Sequence, residues 1–228
     1  MMARIVRGTC LGAALAACAL TSPAQAITLG QTDTFEDGST QGWSIGAGGS
    51  GPAAPANVAT DGPAGADDNV LKLTSLGGSG SASRLVTFNG GQWVGDYAAA
   101  GVTAIQMDLR NLGSTDLSIG LMLGGVVTTH DFKTVLAQSD WQTVTFSLAA
   151  SDLDANGGSV QATLANVSQL RIFHGIPTGA GSPFPGPAIA AILGVDNITA
   201  VPEAGTWVML ATGLGLLGLT AIRRRTAG

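Results

Sequence analysis

This chain is poor in charge and in aromatic rings. Of its 228 residues, 11% are Asp, Glu, Lys or Arg and 5% are Phe, Trp or Tyr. That scarcity excludes a coiled coil or a charged disordered tail. Cysteine is confined to Cys10 and Cys18, histidine to His130 and His174, and tyrosine to Tyr97. No G-x-S-x-G or H-E-x-x-H motif is present, so nothing marks a serine hydrolase or a zinc protease. Between Ile27 and Ala200 there are five basic residues against 14 acidic ones, a net charge near −9 that repels nucleic acid. Glu36 is the one glutamate of that stretch. Glycine is plentiful at 34 residues, the profile of a β-rich protein with many turns.

The first 26 residues read as a secretory signal peptide. Arg4 and Arg7 form a basic start, Gly8 to Leu20 an apolar run, and Ala24-Gln25-Ala26 a small-residue cleavage site. Cleavage after Ala26 removes both cysteines, leaving no disulfide, thiolate metal site or cysteine nucleophile. The competing reading takes Leu15-Ala16-Ala17-Cys18 as a lipobox, with Cys18 lipidated.

The last 28 residues, 201–228, have a different character. Thr206 to Ile222 carries no charge, and Arg223, Arg224 and Arg225 follow at once. As a helix, 206–222 would be about 25 Å long, a short membrane span beside a hydrocarbon core of about 30 Å. The arginines of 223–225 would stay cytoplasmic and the preceding domain outside. Gly213, Gly215 and Gly218 match G-x-G-x-x-G, but no βαβ unit or later acidic residue accompanies them, so a dinucleotide site is excluded. Val201-Pro202-Glu203, Trp207, the Gly/Leu run 214–218 and the three arginines together resemble the PEP-CTERM sorting signal of Gram-negative bacteria. Ala204 stands where that signal usually has a second proline. The resemblance implies export through Sec, transient anchoring in the inner membrane and processing by an exosortase near Pro202-Glu203. The product is then expected at the cell surface, on the outer membrane or in exopolysaccharide. A permanent tail anchor is the alternative.

The middle, 27–200, shows period-two alternation in short runs. Ile105, Met107 and Leu109 fall on one face, as do Leu117, Ile119, Leu121 and Leu123, and Val144, Phe146 and Leu148. The turn residues Asn111 to Thr115 between the first two runs predict a hairpin. Residues 46–65 and 175–188 are Gly- and Pro-rich and predict surface loops. Many short strands and no long amphipathic helix predict an all-β jelly-roll sandwich.

Phe35-Glu36-Asp37-Gly38 with Gly42-Trp43, the loop 65–69, Trp141 before Phe146-Ser147-Leu148, and Val195-Asp196-Asn197-Ile198 resemble galactose-binding-like jelly rolls, as in bacterial carbohydrate-binding modules. The resemblance implies a structural Ca²⁺ tying the first strand to the last, with Glu36 and Asp196 at the matching positions and Asp68, in the Asp67-Asp68 loop, as a third group. A calcium ion needs 6–8 oxygens, so carbonyls or waters would complete the set. Asp152, Asp154, Asn156 and Gly157 match half an EF-hand loop, but Thr163 occupies the place of its bidentate glutamate, and a polar turn fits better. Trp93 and Tyr97, in a Gly-rich connection, are the expected sugar-stacking residues, whereas Trp43 and Trp141 are expected in the core. His130 and Asp131 are neighbours on an extended run and point apart. The reading is therefore a non-catalytic protein that binds exopolysaccharide or contributes to biofilm. The rival is a secreted hydrolase using aspartates.

Overall fold

The computed structural model describes residues 26–45, 53–80, 82–176 and 186–202. The signal-peptide residues before Ala26, the sorting residues from Glu203 onward, the 206–222 span and Arg223 to Arg225 lie outside the described residues. Among the described residues, no helix is long and apolar enough to cross a membrane.

Two antiparallel sheets face each other. The first contains β1 (Thr32–Asp33), β2 (Ala56–Val58), β3 (Val70–Leu76), β5 (Ala104–Asn111), β9 (Gln142–Ser147) and β12 (Ala190–Val201). Their order is β2-β3-β12-β5-β9, with β1 pairing the C-terminal half of β12. The second contains β4 (Val86–Asn89), β6 (Leu117–Leu123), β7 (Val127–Thr129), β8 (Lys133–Val135), β10 (Leu153–Ala155) and β11 (Leu170–His174). Its order is β10-β7-β6-β11-β4, and β8 pairs β6. A short helix, α1 (Val160–Leu164), is capped by the Ser159 hydroxyl, which accepts from the Ala162 N–H.

The alternation seen in the sequence becomes the core. Leu71, Leu73, Ile105, Met107, Leu109, Phe146, Leu193 and Val195 point inward from the first sheet. Leu117, Ile119, Leu121, Leu123, Leu170 and Ile172 meet them from the second. Each such buried side chain contributes about 1.5–3 kcal/mol relative to exposure.

The hairpin expected at Asn111 to Thr115 is not formed. β5 pairs β12 and β9, whereas β6 pairs β11, β7 and β8, so the turn is an arch between sheets. Both strands bury the same kind of face, and stacking them across the core buries both at once. The wholly buried Asn111 holds the arch. Its amide donates to the Thr115 and Val135 carbonyls and its oxygen accepts from the Gly113 N–H. The 46–65 stretch also holds more than a loop, because β2 adds an edge strand to β3.

The last strand carries one irregularity that matters for function. Leu193 and Val195 face the core before it, and Ile198 and Ala200 after it. That change of parity needs an extra residue, and the register against β5 shifts between Asp196 and Thr199. Asn197 takes a φ of 50° there. Just before the bulge, Asp196 stands directly across from Asp108 on the outer face of the first sheet.

Candidate functional site

Two buried aspartates organise the polar chemistry of the domain. Asp33, on β1, is 3% exposed. Its Oδ2 accepts from the indole N–H of both Trp43 and Trp93, each at 2.7 Å, and its Oδ1 accepts from the Gln92 amide at 3.0 Å. Burial raises its pKa, and the donors from Trp93, Gln92 and Trp43 pull against that rise. This network corrects the expectation for Trp93 and Tyr97. Both are fully buried, because Trp93 serves Asp33 and the Tyr97 hydroxyl donates to the Trp93 carbonyl. Neither ring offers a face to a ligand. Trp43 lies in the core as expected.

Asp196, on β12, is 1% exposed. Burial and the neighbouring carboxylates of Asp68, Asp108 and Glu36 push its carboxyl up to about 7. Among the described residues, its donors come from one residue. The Asn197 N–H reaches Oδ1 at 2.7 Å, and the Asn197 side-chain amide reaches Oδ2 at 3.2 Å. That same amide donates to Asp108 at 2.9 Å, so it bridges two like charges across the strand pair. The Glu36 carboxylate accepts from the Asn69 N–H, and Asp68 accepts from the Ala64 N–H.

The nominated carboxylates Glu36, Asp68 and Asp196 thus share one region, joined by Asp108. The alternation of β5 marks Asp108 as outward-facing, but only the register with β12 brings it to Asp196. The donor set is all oxygen, which suits a hard cation. No Lys, Arg or His forms an ion pair with these four among the described residues. Among the described residues, no three Asp, Glu, His or Cys side chains are gathered closely enough to hold a metal ion as they stand.

Three described aromatic residues keep partial exposure: Phe88, Phe132 and Trp141. On the outer face of the second sheet, the Arg171 guanidinium lies 6.0 Å from the Phe88 ring, and Phe132 meets Phe173 edge-on at 5.6 Å. Phe132 also covers Gly120, where a Cβ would come within 2.6 Å of the ring. On the outer face of the first sheet, Trp141 covers Gly194 in the same way. Trp141 precedes β9 rather than entering the core, contrary to expectation. Sequence reasoning passed over Phe88 and Phe132 and assigned Trp141 to the core, because an aromatic in or beside a short strand carries no local sign of which side it covers.

The remaining candidates resolve into local structure. Asp152 ends a 3-10 turn and lines a cavity of about 240 Å³ with Asp131 and Lys133, while Asp154 sits in β10 near the exposed His130. His130 and Asp131 do point apart, Asp131 pairing with Lys133. His174 is buried, which lowers its pKa, and its Nδ1 accepts from the Ser118 N–H. A more open cavity of about 320 Å³ lies beside the first network, lined by Asp33, Asp37, Gln31, Gln41 and Gln92.

No protein-family model and no curated protein matches the chain. Solved structures do. An exo-β-agarase aligns at a TM-score of 0.51 with 13% identity, over 77% of this chain and 25% of that one. The chain therefore spans a quarter of the agarase's length. A family 11 carbohydrate-binding module from Clostridium thermocellum, in complex with a β-1,3-1,4-mixed-linked tetrasaccharide, aligns at 0.47 with 16% identity over 77% and 97% of the two chains. A family 30 carbohydrate-binding module aligns at 0.43 with 19% identity over 71% and 82%. The agarase match shows the β-sandwich fold alone.

Proposed function

We propose that this chain is an exported, non-catalytic jelly-roll protein that binds polysaccharide at the cell surface or in the extracellular matrix. The observation that carries the reading is the placement of its partly exposed aromatics. Phe88, Phe132 and Trp141 lie on outer sheet faces, Phe88 beside Arg171 and Trp141 joined to Arg110 through Asp61, and sugar rings stack on such groups through their C–H faces. The test is retardation of the full-length chain in gels containing a panel of polysaccharides, with reducing ends assayed in parallel. Retardation by at least one glycan without new reducing ends is expected. Reducing ends above background, or no retardation by any glycan, contradicts the reading.

Glu36, Asp68 and Asp196 would hold Ca²⁺, with backbone oxygens or waters completing the shell after small side-chain rotations. Such an ion would supply the positive charge that the cluster lacks and clamp the segment after β1 to β12. Delivery follows the sorting signal: Sec export, then exosortase action near Pro202-Glu203. Intact-mass measurement of the mature protein tests this, and a C-terminus that still carries Arg223–Arg225 contradicts it in favour of a permanent tail anchor.

One observation favours the hydrolase alternative. Asp33 and Asp37 line the same cavity with pKa values displaced in opposite directions, Asp33 raised by burial and Asp37 lowered by the Ser39 N–H and hydroxyl. Two carboxyls with different protonation are what glycoside hydrolysis uses. Against it, Asp33 Oδ2 is already committed to two indoles. Turnover in the glycan panel that disappears in Asp37→Asn would favour the hydrolase.

A further inference from the structure

The Trp141 ledge on the first sheet is more elaborately built than a cover for Gly194 requires. Gly194 pairs with Lys72 on β3 and with Arg110 on β5, so the two cations flank it on the same outer face. Strand spacing of about 4.8 Å puts their Cα atoms roughly 10 Å apart. The Trp141 indole enters this row, its Cη2 2.9 Å from where a Gly194 Cβ would stand. The indole N–H donates to the Asp61 carbonyl at 2.9 Å, and the Asp61 carboxylate pairs with Arg110 at 2.9 Å. Asp61, which makes both bonds, has a φ of 84°, a backbone conformation that L residues rarely adopt. Among the described residues the Lys72 ammonium has neither an ion-pair nor a hydrogen-bond partner. Two of the five cations of a domain with a net charge near −9 thus border one partly exposed indole.

We infer that this ledge binds a sugar ring bearing a single carboxylate, such as a uronate residue within an otherwise neutral chain. This deepens the polysaccharide-binding reading and rests on it. The indole would take the apolar face of the ring, and Lys72, with Arg110 beside it, would take the carboxylate. The net negative charge of the domain disfavours densely charged polyanions, which leaves isolated acidic residues as the matching chemistry.

The probe is a glucuronate-bearing xylo-oligosaccharide, compared with the same oligosaccharide after reduction of its carboxyl group, each titrated into the full-length chain by calorimetry. The acidic form should bind about three- to fivefold more tightly. Lys72→Gln should erase that preference without moving the melting temperature, Lys72→Arg should keep it, and Trp141→Ala should weaken both forms at least about tenfold. Because Trp141→Ala uncovers Gly194, the Lys72 variants, at a half-buried position on the outer face, carry the decision if that protein is unstable. Equal binding of the two forms, or a preference that survives Lys72→Gln, overturns the inference while leaving general glycan binding intact. Retardation by none of the panel together with no binding of either probe overturns both.

Discussion

Asp33 and Asp196 are both almost fully buried, both in strands of the same sheet, and their surroundings are opposite. Asp33 is met by three neutral donors from distant parts of the chain. Asp196 is met by three other carboxylates and by the amides of its own neighbour. A buried carboxylate surrounded by fixed dipoles is a finished piece of structure. One surrounded by like charge must take up a proton or a cation. The contrast separates scaffold from candidate site without appeal to exposure, which is nearly the same for both.

The largest effect should come from breaking the finished network. Asp33→Ala leaves two buried indole N–H groups and the Gln92 amide without their acceptor, and should cost about 3–5 kcal/mol in chemical denaturation. A loss below about 1 kcal/mol would mean that the indoles find other partners. The unfinished cluster should respond to pH instead. Asp196 titrates near 7 in the fold against an ordinary 3.8, so between those values the folded state holds a proton that the unfolded chain gives up. In chelator, its contribution therefore falls as pH rises from about 4 to 7 and is flat above, by at most about 4 kcal/mol. His174, whose pKa is lowered, works in the opposite sense below its ordinary 6.5. The difference between wild type and Asp196→Asn isolates the aspartate, and a flat difference across that range would refute its raised pKa. Smaller still are the two covered glycines. Gly120→Ala and Gly194→Ala place a Cβ at 2.6 Å from Phe132 and 2.9 Å from Trp141, and each should cost about 1–3 kcal/mol, the tighter contact more. Thermal melts rank them, and equal stability to wild type would show that the rings swing aside freely.

Much of the sandwich was legible because its signal is local. Leu117, Ile119, Leu121 and Leu123 alternate within one strand, and alternation survives whatever the strand pairs with. Pairing itself is not local, which is why Asn111 to Thr115 reads as a hairpin and folds as an arch. The same limit explains Trp93. A Gly-rich connection reads as exposed, and only Asp33, sixty residues earlier, draws that ring inward. Glu36, Asp68 and Asp196 are nominated in the sequence only by a resemblance, with no spacing rule that joins them. Asp108 joins them only through the register of β12 on β5, which no local signal in the sequence shows.

The claim that Asp196 is completed by a cation is tested most directly by melting the full-length chain at pH 8, first in chelator and then with calcium on the order of millimolar. An ion held only by the folded state must raise the melting temperature. The account predicts a saturable rise with calcium that is absent in Asp196→Asn and retained in a Lys72→Gln control. Superimposable wild-type melts with and without calcium would contradict it.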